Sequence, residues 1–332
     1  MKRKILSVCA VVIALIFIFL CTEISGLFRG NEIVSLEIST GASMHQISNQ
    51  LKDKGVIGSK SLFLLYFRLF GGTYYMGTHE FSSKSYGAIT NELETPTKIN
   101  AVRVTIPEGM EQREIAALLE KKGLVTADEF NSAAKIDNFD YWFLKGIKKR
   151  DMELEGYLFP DTYEFSYEED AKSIITKMLD NFNNKFTDNM KNRATQLGLN
   201  VDEVITMASI VEREVASKNE LGLVAGVFFN RLDEKRESAG FLQSCATVQY
   251  ILKERKLVLS ISDTKIKSHY NTYLNKGLPI GPIASPGLNC INAALYPEDT
   301  DYLYFAADGK GKHYFAKTHD KHLENMKKAG LM

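Results

Sequence analysis

The chain has 332 residues, 45% hydrophobic and 25% charged, the composition of a globular protein long enough for two or more domains. Its 41 basic and 41 acidic residues cancel, and beyond residue 22 the acidic ones are in excess. That excludes the basic face a nucleic-acid partner requires, and no Cys/His spacing suits zinc, so no metal or cofactor is expected.

Lys2, Arg3 and Lys4 precede "ILSVCAVVIALIFIFLC", residues 5–21, which carries no charge. The run is short for a bilayer span and longer than most signal-peptide cores. No A-x-A site follows, and bulky Leu20 before Cys21 argues against lipoprotein processing, although a cleaved signal peptide is the competing reading. The expectation is a single-pass anchor over residues 5–22, with residues 1–4 as a cytoplasmic tail and everything beyond outside the cell membrane. Only Cys245 and Cys290 then lie outside, where one disulfide is chemically permitted.

Residues 36–57, "LEISTGASMHQISNQLKDKGVI", align without a gap to residues 104–125, "VTIPEGMEQREIAALLEKKGLV". Each copy reads as a strand, a turn at glycine, an amphipathic helix and a glycine stop. In the first, Ser43 caps the helix, Met44, Ile47 and Leu51 form its buried stripe, and Gly55 ends it. "SLFLLYFRLF", residues 61–70, reads as a second buried helix, and "THEFSSKSYGAITNELET" as a strand and a short helix. Residues 32–100 thus form a small α/β module of the LysM-like kind that binds sugar polymers, with a packing or spacer role as the alternative.

Residues 170–198 and 201–217 read as long helices, and "VFFNRLDE" continues helical. The run "NKGLPIGPIASPG", residues 275–287, is neither regular helix nor central strand, and a long proline-stiffened loop is often functional. "DYLYFAADGKGKHYFAK" reads as a hairpin turning at Asp308-Gly309, followed by a capped C-terminal helix whose His319 and His322 are expected at the surface. The fold class is α+β: an N-terminal transmembrane helix, the small module, then a mixed helical domain over residues 101–332 with irregular loops and a C-terminal β-hairpin.

Within "TMASIVEREV", residues 206–215, the step of about 100° per residue places Glu212 among Ile205, Ala208 and Val215, while Glu203 and Glu214 point the opposite way. A carboxyl group buried there would be favoured in its protonated form, as a general acid for glycosidic cleavage must be. The plain alternative is a structural ion pair, with Arg231 as partner. "ELEGYLFPDTYEF", "LQSCATVQY" and "SHYNTYLNKGLP" add Glu155, Gln243, Ser244, Tyr270, Asn271 and Tyr273. Hydrogen-bonding groups mixed with aromatic faces suit a polysaccharide.

The chain resembles the YceG-like (MltG) endolytic murein transglycosylases. The resemblance is carried by "TIPEG" (105–109), "EGYLFPDTY" (155–163), "ASIVERE" (208–214), "FNRL" (229–232), "LQSCATVQY" (242–250), residues 270–287 and residues 302–322. It departs where Cys245-Ala246 replaces the Asp-Pro common in the family. The resemblance implies a lyase that cuts the β-1,4 bond between N-acetylmuramic acid and N-acetylglucosamine in nascent peptidoglycan strands and leaves a 1,6-anhydro end. It maps the catalytic glutamate onto Glu212. Gln243, Ser244, Tyr270, Asn271, Tyr273 and Glu155 are the expected substrate-binding residues. Membrane-bound peptidoglycan synthases are the expected protein partners. The rivals are a hydrolytic muramidase with Glu155 or Asp161 as second carboxylate, and a non-enzymatic glycan-binding scaffold.

Overall fold

The computed structural model describes residues 2–27, 29–30, 32–39, 41–96, 101–215, 217–256, 258–308 and 311–331, with residues 2–10 and Lys218 described by their backbone alone. Helix α1 (Lys2–Ser25) opens the chain and exposes its apolar side chains from Val11 to Phe19. Among the described residues no helix is long and apolar enough to cross a membrane. The side chains of residues 5–10, part of the expected anchor, lie outside the described ones. Residues 1–100 and 101–332 form two compact units.

In the first unit, β1 (Val34–Ile38) leads through α2 (Met44–Asp53) and α3 (Lys60–Phe70) to β2 (Gly77–Phe81) and α4 (Tyr86–Glu94). The strands pair antiparallel, Val34 opposite Phe81 and Ile38 opposite Gly77. Ser43 and Gln46 close a capping box at the start of α2, and Gly55, at φ +69°, stops it in the left-handed conformation a side chain would resist. Leu36, Ile47, Leu51, Phe63, Tyr86 and Ile89 make the core. Helix α3 differs from expectation: Phe63 and Phe67 are buried, but its other apolar residues are not.

The second unit begins with the other copy of the repeat, β3 (Ala101–Thr105) and α5 (Gln112–Lys121), followed by α6 (Ala127–Ala133). β3 pairs antiparallel with β4 (Thr162–Ser166), placing Val104 opposite Tyr163. The expected long helix over 170–198 is two, α7 (Ala171–Lys185) and α8 (Asp188–Gln196). The break comes at Thr187, whose hydroxyl accepts the Met190 N–H and caps a new helix. α9 (Val201–Glu214) runs through the core beside α10 (Leu221–Leu232), α11 (Cys245–Leu252) and α12 (Leu288–Leu295). β5 (Tyr304–Ala307) and β6 (His313–Ala316) form the C-terminal hairpin, with Gly309 of its expected turn outside the described residues, and α13 (His319–Lys328) packs on it.

One close approach sets the loops against α9. Gly156 has φ +89°, and a Cβ there would come within 2.6 Å of Pro282 and 2.8 Å of Ile205. The segment before β4, the proline-rich loop and α9 therefore meet where only glycine fits.

Candidate functional site

α9 is buried on every side from Val204 to Val211, then emerges, so that Glu212, Arg213 and Glu214 are half-buried. Three successive residues lie about 100° apart, so these three side chains leave the core toward three different neighbours.

Glu212 meets the proline-rich loop. Its Oε2 accepts the N–H of Gly287 at 2.9 Å, and a Cβ on Gly109 would stand 3.4 Å from its Cγ. Residues 281–287 are buried in place, because Gly109 and Ser285 exchange backbone bonds with Ser285 and Met110, and Ile283 N–H donates to Ser209 Oγ at 3.0 Å. The loop is a fixed wall stitched across α9. Arg213 turns inward and donates to Glu111 Oε1 at 3.0 Å, while Arg113 holds the other oxygen. Burial pushes the Glu111 carboxyl up, against the pull of Arg113 and Arg213.

Glu214 meets the segment leading into α11. Its Oε1 accepts Ser244 Oγ at 2.6 Å and the Ala246 N–H, at the helix start, at 3.4 Å. Cys245 and Tyr273 stand beside it, sulfur to phenol oxygen at 3.1 Å. Both are pushed up chiefly by burial, with the Glu214 charge adding to it. Gln243 is exposed at φ +50° and its N–H is held by the Thr272 carbonyl, so the turn presents its side chain to solvent. Arg231 is buried, donates to the carbonyls of Leu303, at 2.6 Å, and Leu242, and lies under the Tyr304 ring. Burial lowers its pKa, offset first by the Glu214 charge. The partner foreseen for Glu212 thus faces Glu214.

The remaining candidates divide. Tyr270 is half-buried, its hydroxyl pushed up to about 12 chiefly by burial, with its ring 4.8 Å from that of Tyr250. Asn271 is fully buried and serves its own loop, donating to the carbonyls of Thr264 and Ile266 and accepting from Tyr273 N–H. These bonds set where Tyr273 stands. Glu155, expected as a sugar contact, is also fully buried. It accepts the Gln112 N–H at 2.9 Å and the Tyr250 hydroxyl at 3.1 Å, and burial raises its pKa to about 8. Asp161 is exposed, and Asn181 holds its carboxyl below the usual range.

No disulfide joins Cys245 and Cys290, and Cys290 is buried in α12. His319 is exposed as foreseen, but His322 is half-buried, stacks on Tyr304 at 5.2 Å and is pushed down by burial. No group of side chains suited to a metal occurs among the described residues. In the first unit, a separate groove of about 330 Å³ lies between the β1–α2 turn and the approach to β2, lined by Ile38, Gly41, Thr73, Tyr74 and Met76.

Glu214 is the carboxylate that helical phasing passed over, because phasing asks which residue faces the core and not which loop arrives at the helix end. Its spacing from Glu212 was the available signal. Two residues apart, they cannot serve one neighbour.

Residues 36–328 match the YceG-like family. The chain belongs to the YceG-like family. The endolytic murein transglycosylase of Bacillus subtilis is 32% identical over 305 residues, covering 87% of this chain and 82% of its own. The endolytic murein transglycosylase of Streptococcus pneumoniae D39 is 30% identical over 335 residues, 90% of this chain and 58% of that one. A crystal structure of a yceG-like protein from Listeria monocytogenes superposes with a TM-score of 0.59 at 31% identity, covering 89% of this chain and 99% of its own.

Proposed function

We propose that this chain is an endolytic peptidoglycan lytic transglycosylase, a lyase that cuts glycan strands internally, and that the carboxylates at the C-terminal end of α9 carry the proton transfer. The observation that carries the assignment is the emergence of Glu212 and Glu214 from a fully buried helix into a wall of loops. One carboxyl group donates its proton to the glycosidic oxygen as the bond to the muramic acid C1 breaks. The 6-hydroxyl oxygen of the same sugar then bonds to C1 and gives its proton to the carboxylate, restoring the acid and closing the 1,6-anhydro ring. The nucleophile lies within the substrate, so proximity replaces a second catalytic carboxylate.

Of the two residues the resemblance points to Glu212, and the geometry favours Glu214. Buried Ser244 bonds Glu214 and the Tyr273 hydroxyl lies within reach of its charge, while Gln243, next in the chain to Ser244, is exposed where a sugar could meet it. Glu212, tied to Gly287 N–H, would hold the loop wall. Mass spectrometry of fragments from nascent, uncross-linked peptidoglycan tests this with Glu212→Gln and Glu214→Gln measured separately. Anhydro ends from the parent protein, lost by a factor of about 100 or more only with Glu214→Gln, would support the geometric assignment. Loss with Glu212→Gln alone would return the role to Glu212. Reducing ends carrying added water would favour the muramidase, and no fragments at all the scaffold.

The first unit fits a LysM-like glycan-binding role, with the groove beside Tyr74 as its sugar site. Residues 5–22 would anchor the chain in the cell membrane with residues 1–4 in the cytoplasm. The enzyme would then reach strands near the membrane where synthases extend them, and those synthases are its proposed partners.

A further inference from the structure

Helix α3 is apolar on two faces. Phe63 and Phe67 fill the module core, while Leu65, Leu69 and Phe70 are 54%, 65% and 69% exposed, with Leu62 and Tyr66 half-buried between them. At the helical step, residues 62, 65, 66, 69 and 70 share one stripe. Tyr75 and Met76, exposed just beyond the helix, add to the apolar surface. A stripe this long on a small module calls for a partner.

The way α1 joins the module says what the partner is. Only residues 26–33 separate α1 from β1, and Arg29 takes up that slack. Its guanidinium donates to the Glu23 carbonyl at 2.9 Å and the Lys84 carbonyl at 2.9 Å, and pairs with the Glu23 carboxylate. The Tyr86 hydroxyl donates to Glu23 as well, at 3.2 Å, and its ring lies 5.4 Å from the Arg29 guanidinium carbon. From Tyr86 a ring contact of 5.7 Å leads to Tyr66, and one of 4.9 Å from Tyr66 to Phe70. The end of the apolar helix and the apolar stripe are thus parts of one packed assembly.

We infer that the outward face of α3 seats the module on the lipid surface of the same bilayer that holds α1. The inference rests on the proposed anchor. Lipid accepts a broad apolar stripe without shape complementarity, and a module fastened to the end of a spanning helix has that surface beside it. The module would then lie down on the membrane, which holds the chain's first unit within reach of strands at the bilayer surface.

Photo-crosslinking of the full-length chain in phosphatidylglycerol–phosphatidylethanolamine vesicles tests this, with benzoylphenylalanine replacing Leu69, Phe17 or Glu37 in turn. All three residues are exposed, so the probe displaces no core packing. Phospholipid adducts are read by mass spectrometry. Adducts at positions 17 and 69, several-fold above position 37, are the expected result. An adduct at 17 with none at 69 overturns the inference and leaves the anchor standing. A cross-linked dimer through 69 in place of a lipid adduct assigns the stripe to a second copy and also overturns it. No lipid adduct at either 17 or 69 overturns both readings together.

Discussion

At the residue scale, carboxylates on neighbouring elements have opposite surroundings. Glu155 is sealed in the core, and its pKa stands near 8 against an ordinary value of 4.5. Between those two values the unfolded chain carries the group ionised while the folded chain keeps it protonated. The folded state therefore binds more protons, and stability falls as pH rises through that window, by up to about 1.4 kcal/mol per pH unit. The penalty is absent below about pH 4.5 and complete above about pH 8. Urea midpoints measured from pH 5 to 8 are expected to fall less steeply in Glu155→Gln than in the parent. Beside the end of α9, Ser244→Ala removes the 2.6 Å hydrogen bond that this buried hydroxyl gives to Glu214. It is expected to slow anhydro-product formation about 10- to 100-fold, on the order of the 1.5–3 kcal/mol of a charge-assisted bond, read by the same mass spectrometry.

At the scale of elements, caps and close approaches decide where helices stop and loops lie. Thr187 splits a continuous periodic pattern into α7 and α8, so Thr187→Ala is expected to cost about 1 kcal/mol in denaturant unfolding. Gly156→Ala combines a left-handed backbone with collisions against Pro282 and Ile205. A loss of roughly 2–4 kcal/mol is expected there, measurable by the same titration. The two copies of the strand–turn–helix repeat were legible from sequence because each is locally encoded, by a glycine turn and a capped amphipathic helix. Both take that form, although Glu111 replaces a hydroxyl at the second cap. The break at Thr187 was less legible, since apolar periodicity continues across it and only the cap geometry ends the helix.

At the scale of the molecule, the first and second units each carry their own core. The proposed placement has a direct readout. In spheroplasts, protease added outside is expected to degrade residues 32–332 and to spare the membrane-embedded N-terminal segment. Full protection of the chain would place it on the other side. The apolar run from residue 5 suggests this topology from hydropathy alone, because partitioning depends on the length and polarity of a single segment.

The sequence by itself determined the α+β class, the repeat, the C-terminal hairpin and family membership, which follow from local periodicity, turn chemistry and long ordered motifs. It also marked the end of α9 as the place where charge meets an apolar helix. Only the tertiary structure decided how that end is used. Helical phase distinguishes one direction from another but cannot say which distant loop occupies it. The loop at Gly287 came to Glu212, and the turn at Ser244 came to Glu214. Burial decided the rest in the same way. Glu155 looks like a site residue in a linear motif, yet Gln112 and Tyr250, far away in sequence, close over it, while Asn271 is tied within its own loop.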